Sequence, residues 1–159
     1  MNLIFFVDAV NHICRIVRVL IQPRNNAMLI GVSGCGKQSL TRLASFMMQY
    51  KNFSIKLSKN YKPSDFRDDL KEVLLESGCN GTPYTFLLSD TQIVNETFLE
   101  DINSILNLGD ITNLYEIEDI DRIMNDIIPY VKKLGRAESR DAKYESYIER
   151  LRDCFHIIL

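Results

Sequence analysis

The segment GVSGCGKQSL, residues 31–40, holds glycines and a lysine at nearly the spacing G-x-x-x-x-G-K-S/T. In that pattern the glycines let the backbone curl around phosphate oxygens. Successive N–H groups and the positive end of the following helix neutralise the anion. Gly31, Gly34, Gly36 and Lys37 are placed for this, with Ser33 and Cys35 between them, and Lys37 adds a point charge for the outer phosphates. The residue after the lysine normally gives Mg²⁺ a hydroxyl. Here Gln38 offers only an amide carbonyl, and Ser39 comes one position late. Further on, Phe86-Leu87-Leu88-Ser89-Asp90 is an apolar run ending in a carboxylate that can hold Mg²⁺, usually through water. In many ATPases a glutamate follows that aspartate and polarises the attacking water. Thr91 stands there instead, a hydroxyl far too weak as a base at neutral pH, and Gln92 can at most orient water. Glu96 is the nearest substitute, but a carboxylate near a helix start more often complements the dipole. These residues predict a site that holds ATP or ADP, with Mg²⁺ on Ser39 and Asp90, and turns it over slowly. No catalytic residue is assigned.

Positioning such a loop requires a strand before it and a helix after it. Phe6, Val10, Ile13, Val17 and Leu20 recur at helical steps over residues 5–21, and Pro23 with Asn25-Asn26 ends that helix. Ala27 to Ile30 is a continuous apolar run, as a strand covered on both faces would be. Leu40, Leu43, Ala44 and Met47 then restore helical spacing. Residues 53–57 alternate as a second strand. Pro63-Ser64 opens a helix whose stripe is Phe66, Leu70, Val73 and Leu74, with Gly78 closing it. Residues 84–90 read as a buried third strand. A helix with Phe98, Ile102, Ile105 and Leu106 on one face stops at Gly109, and residues 120–131 and 144–151 give two more helical patterns. The polar stretch 135–143 reads as a surface connection and residues 154–159 as a last strand. Strands alternating with helices imply an α/β domain with a mainly parallel sheet. An α/β chain that stops on a strand leaves apolar surface uncovered, and the sequence is expected to be part of a larger assembly.

Composition narrows the function classes. With 159 residues and 46% hydrophobic content, the chain fits one domain with a sizeable core. A formal net charge of -2 with interspersed signs argues against a nucleic-acid partner. Cys14, Cys35, Cys79 and Cys154 are scattered, so neither a zinc site nor a disulfide framework is indicated, and reduced thiols in the cytoplasm fit best. No apolar run approaches the roughly 20 residues that span a bilayer, so no membrane partner is expected. Cys35 reads as a small filler of the loop, His12 and His156 as structural, and Tyr144 and Tyr147 as core. Asp68, Asp69, Lys71 and Glu72 read as a solvated helix face with weak i,i+4 pairing.

With these residues assembled, the sequence resembles the fourth AAA+ module of the axonemal dynein motor ring. The resemblance runs from MNLIFFVDAVNHICRIVRVL through GVSGCGKQSLTRLASF, SKNYKPSDFRDDLKEVL, TFLLSDTQI and FLEDINSILNLGDITNLY to FHIIL. It implies a P-loop NTPase (AAA+) three-layer sandwich over residues 1–159, C-terminally incomplete, lacking the end of the sensor strand and the helical lid. Gly31, Gly34, Gly36, Lys37 and Ser39 correspond to the nucleotide loop of that family and Asp90 to its Walker B aspartate. Gln after the lysine and Thr after the aspartate are normal for this module. Val7 stands where an acidic residue is usual, and Ser33-Gly34-Cys35 replaces the more common Gly-Gly-Ser. The resemblance further implies neighbouring AAA+ modules, dynein intermediate and light chains and, indirectly, microtubules as partners, in the cytoskeleton of the ciliary axoneme. Two other readings compete: an independent small P-loop kinase or NTPase, for which no acceptor site or arginine lid is visible, and a scaffold piece whose loop is vestigial.

Overall fold

A computed structural model describes residues 6–159. Residues 1–5, which include the Phe5 read above as the start of the opening helix, lie outside the described residues. The first helix, α1 (Val7–Ile21), buries Ala9, Ile13, Ile16 and Leu20. Phe6 and Val10, expected on the stripe, are exposed. The apolar face is broad enough that spacing alone does not say which edge of it meets the neighbour. That neighbour is the helix after the glycine loop, α2 (Lys37–Met47), which contributes Ala44 to the same core; the Met47 expected there is exposed.

Three strands, β1 (Lys51–Phe53), β2 (Tyr84–Leu87) and β3 (Phe155–Ile158), form a parallel sheet in the order β1-β2-β3. Residues 27–29 run parallel beside β3. The Ala27 N–H donates to Ile157 O at 3.0 Å, the Leu29 N–H to Leu159 O at 2.7 Å, and the Leu159 N–H to Ala27 O at 3.0 Å. This run is not covered on both faces as its composition predicts. Met28 and Ile30 are 66% and 90% exposed, while Ala27 and Leu29 pack inward, the alternation of a strand with one wet face.

The second strand also differs, covering 51–53 and not 53–57. After Phe53 the chain leaves the sheet, and the Ile55 carbonyl is taken by the Gln92 side chain instead of a strand partner. The third strand ends at Leu87, and residues 90–92 form a single 3₁₀ turn.

Pleating directs the sheet into two cores. Leu87 and Ile158 meet α1 and α2 on one face. On the other, Tyr84, Phe86, Phe155 and Ile157 meet α3 (Pro63–Asn80), α4 (Glu96–Leu108) and α7 (Arg140–Cys154), with α5 (Ile117–Asp126) and α6 (Ile128–Lys133) completing that layer. The pattern over 120–131 is therefore two helices. Pro129 has no N–H to give the preceding turn, and the helix breaks beside it.

Gly78 does not close α3. The helix continues to Asn80, and the left-handed residue that follows is Gly81. Gly78 lies instead where Tyr147 of α7 crosses: a Cβ there would come within 2.1 Å of Tyr147 Cε2. Of the expected solvated face on α3, Asp68 and Glu72 are exposed while Lys71 and Asp69 are tied down. Lys71 pairs with Asp119 of α5 at 3.2 Å, and Tyr61 donates its hydroxyl to Asp69 at 2.5 Å. The connection before α7 is shorter than expected, since Ser139 caps the helix by accepting the Ala142 N–H at 3.3 Å. No helix among the described residues is long and apolar enough to cross a membrane.

His156 of β3 is fully buried, its Nδ1 lies 2.6 Å from Asn25 O, and its ring stacks on Tyr50. Burial is the dominant influence and pushes its pKa below the ordinary 6.5, against the Asn25 carbonyl and Asp153, which raise it. The folded ring is thus neutral, with Nδ1–H donating to Asn25. The unfolded ring takes up a proton below its ordinary pKa. The stability contributed by the neutral ring is therefore complete above that value and is lost as pH falls towards the folded pKa. The urea midpoint of the wild-type chain is expected to fall more between about pH 8 and about pH 5 than that of His156→Gln, whose amide does not titrate.

Candidate functional site

The loop between the 27–29 run and α2 turns through two left-handed glycines, Gly34 (φ 81°) and Gly36 (φ 84°). A Cβ at either would meet nothing within 4 Å, so close packing does not demand glycine there. The backbone conformation does, and it faces open space. Gly36 is the N-cap of α2, no side chain caps the helix, and its first turn carries no carboxylate. The amides at this end are thus presented together with the positive end of the helix dipole.

Lys37 folds back over the loop, its ammonium donating to Gly31 O and, at 3.3 Å, to Val32 O. Cys35 Sγ sits beside Gly31, 3.0 Å from where a Cβ on that glycine would be. Ser33, Cys35 and Gln38 are exposed, and Ser39 is half-buried on the first turn of α2. One turn further along α2, the Thr41 hydroxyl donates to Lys37 O at 2.9 Å.

Asp90 leaves the carboxyl end of β2. It is exposed and accepts the Thr91 N–H on Oδ1 at 3.0 Å. Ser89 and Thr91 share a hydroxyl contact at 3.0 Å. Gln92, read from sequence as at most a water-orienting group, is fully engaged. Its Oε1 accepts the Ser89 N–H at 2.8 Å and the Ser89 hydroxyl at 2.9 Å. Its Nε2 donates to Ile55 O at 2.6 Å and to Ser54 Oγ at 3.2 Å. The signal was legible, because Ser89-x-x-Gln92 is a capping-box pattern. Glu96 is exposed in the first turn of α4, capped by Asn95, where it complements the helix end.

The sheet order brings the two halves to one end of the molecule. The 27–29 run and β2 are parallel, β3 lies between them, and both the loop and Asp90 follow the carboxyl ends of their strands. An open parallel sheet receives ligands at this edge.

Comparison with known proteins bears on what that ligand is. The whole chain, residues 1–159, matches the family described as the P-loop containing dynein motor region D4. The chain belongs to this family. Over its full length it is 50% identical to dynein axonemal heavy chain 1 of Rattus norvegicus. It is 44% identical to the dynein-1-beta heavy chain, flagellar inner arm I1 complex, of Chlamydomonas reinhardtii, also over its full length. Over 99% of its length it is 43% identical to dynein axonemal heavy chain 6 of Homo sapiens. The chain spans 4% of the length of each of these relatives. The parallel sheet with helices on both faces is compatible with the P-loop fold of this D4 motor-region family.

A P-loop family implies a nucleotide and its Mg²⁺, and the residues present fit both. An uncapped helix end, left-handed glycines opening on free space and a lysine at the loop suit a polyphosphate. The Ser39 hydroxyl and the Asp90 carboxylate are hard oxygen donors of the kind Mg²⁺ takes. Few protein ligands are what that ion normally accepts when phosphate and water complete its shell. No cluster of three or more His, Cys, Asp or Glu residues forms a separate metal site among the described residues.

Proposed function

We propose that residues 1–159 are the P-loop-containing part of an AAA+ module in an axonemal dynein heavy chain, binding ATP or ADP with Mg²⁺ and hydrolysing it weakly or not at all. The observation that carries this reading is the uncapped start of α2 behind two left-handed glycines, with Lys37 at its first position. The amide N–H groups of Gly34, Cys35 and Gly36 and of the first turn of α2 donate to the phosphate oxygens. Lys37 exchanges the carbonyls of Gly31 and Val32 for the outer phosphates. Ser39 and Asp90 hold Mg²⁺, which when bound screens the phosphate charge. Gly31 and Ser33 shape the loop, and Gln38 lies beside it without a hydroxyl to offer.

Weak turnover follows from Thr91. Its hydroxyl is too weakly basic to draw a proton from water, and its contact with Ser89 fixes it within the turn. The same reading gives the chain its setting: neighbouring AAA+ modules of one heavy chain, intermediate and light chains, and microtubules through the motor as a whole, in the cytoskeleton of the ciliary axoneme. The dynein heavy chains to which it is similar support this placement. Phosphate release from the isolated chain with ATP and Mg²⁺ is expected at background, and Thr91→Glu alone is not expected to raise it. Sustained turnover by the wild-type chain would instead favour an independent NTPase.

A further inference from the structure

Asp90 stands on a three-residue turn with no buried residue of its own, so nothing in the turn's packing fixes its direction. Backbone bonds close the turn, from the Gln92 N–H to Ser89 O at 2.9 Å and from the Ile93 N–H to Asp90 O at 3.1 Å, and one side chain ties it by hydrogen bonds to the segment after β1. Gln92 closes it from within by accepting both the N–H and the hydroxyl of Ser89, and anchors it from outside by donating to Ile55 O and Ser54 Oγ. The anchor is firm because the Ile55 side chain is itself buried in the core. Gln92 therefore spans the segments that leave β1 and β2, using both amide ends. The Asp90 carboxylate is then oriented through its bond from the Thr91 N–H.

We infer that Gln92 is the positioning residue for Asp90, setting the Mg²⁺-dependent part of nucleotide affinity without touching nucleotide or metal. This rests on the nucleotide-binding reading above and deepens it. It also makes residues 54–55 the route by which the segment after β1 and the metal carboxylate sense one another. Groups that orient a metal-binding residue from behind typically change metal affinity ten- to a hundredfold, about the range expected here.

The test uses Gln92→Met, which keeps the volume and removes both the donor and the acceptors. ATP affinity is measured with Mg²⁺ and with EDTA, alongside thermal unfolding. The Mg²⁺ enhancement of affinity is expected to fall about tenfold, while affinity in EDTA, set by the loop and Lys37, stays within about twofold of wild type. An unchanged enhancement, or an equal loss in both conditions, overturns the inference, because a merely structural role would move both affinities together. In the wild-type chain, hydrogen exchange at residues 54–57 is expected to slow with ATP and Mg²⁺ and not with ATP in EDTA. The same protection in both overturns the inference even if the variant fails to fold. Absence of any ATP binding by the wild-type chain overturns the nucleotide-binding reading itself, an outcome distinct from those two.

Discussion

Lys37→Ala is expected to lower the affinity of the chain for ATP about a hundredfold, close to 2.7 kcal/mol. A charge-assisted hydrogen bond contributes about 1.5–3 kcal/mol, and Lys37 is the one cation within the loop 31–37. In the structure its ammonium rests on the Gly31 and Val32 carbonyls. An incoming phosphate therefore replaces neutral acceptors with charged ones and leaves the lysine close to its present position. The alanine variant keeps the glycine turn and the α2 amides, so weak binding persists while the outer-phosphate contact is lost. Lys37→Arg keeps the charge on a bulkier planar head and is expected to fall between the two. Titration with a fluorescent ATP analogue checks the order, and equal affinity of all three proteins would mark the loop as vestigial.

Gly78→Ala is expected to destabilise the fold by about 3 kcal/mol, although glycine to alanine inside a helix ordinarily stabilises it by roughly 1 kcal/mol. The added methyl would lie 2.1 Å from Cε2 and 2.6 Å from Cδ2 of Tyr147. The ring has no room to yield. It is fully buried, and its hydroxyl is tied to Leu74 O at 3.2 Å and to the Tyr115 hydroxyl at 2.7 Å. α3 and α7 would have to separate in the core they share with Tyr84, Phe86, Phe155 and Ile157. Urea unfolding measures the loss. Tyr147→Leu is expected to recover part of it in the double variant, since the smaller side chain relieves the overlap.

Gly78 also shows where reading the sequence stops short. A glycine three residues before Gly81 carries the same local signal as a helix stop, and only the arrival of Tyr147, distant in sequence, tells them apart. The frame of the candidate site was legible because it is local: an apolar run, glycines at fixed offsets, a lysine, then helical spacing. The parallel sheet with helices on both sides followed from the alternation of strand and helix patterns. The buried face of α1 was legible at Ile13, Val17 and Leu20 but not at its start, because Phe6 and Val10 continue the same apolar spacing and yet lie outside the contact with α2. The run 27–30 was overread for a related reason: apolar composition does not say how many faces are covered, and Met28 and Ile30 are not. The bracing by Gln92 was only half legible: Ser89 lies in its own capping box, whereas Ser54 and Ile55 come from a strand exit remote in sequence.

The most direct test of the central claim, that this loop and its helix end take up a polyphosphate, is calorimetric titration of the folded chain with ATP in the presence of Mg²⁺. The account predicts saturable heat at one site per chain that Lys37→Ala largely abolishes. A flat titration from wild-type protein whose unfolding is cooperative would contradict it.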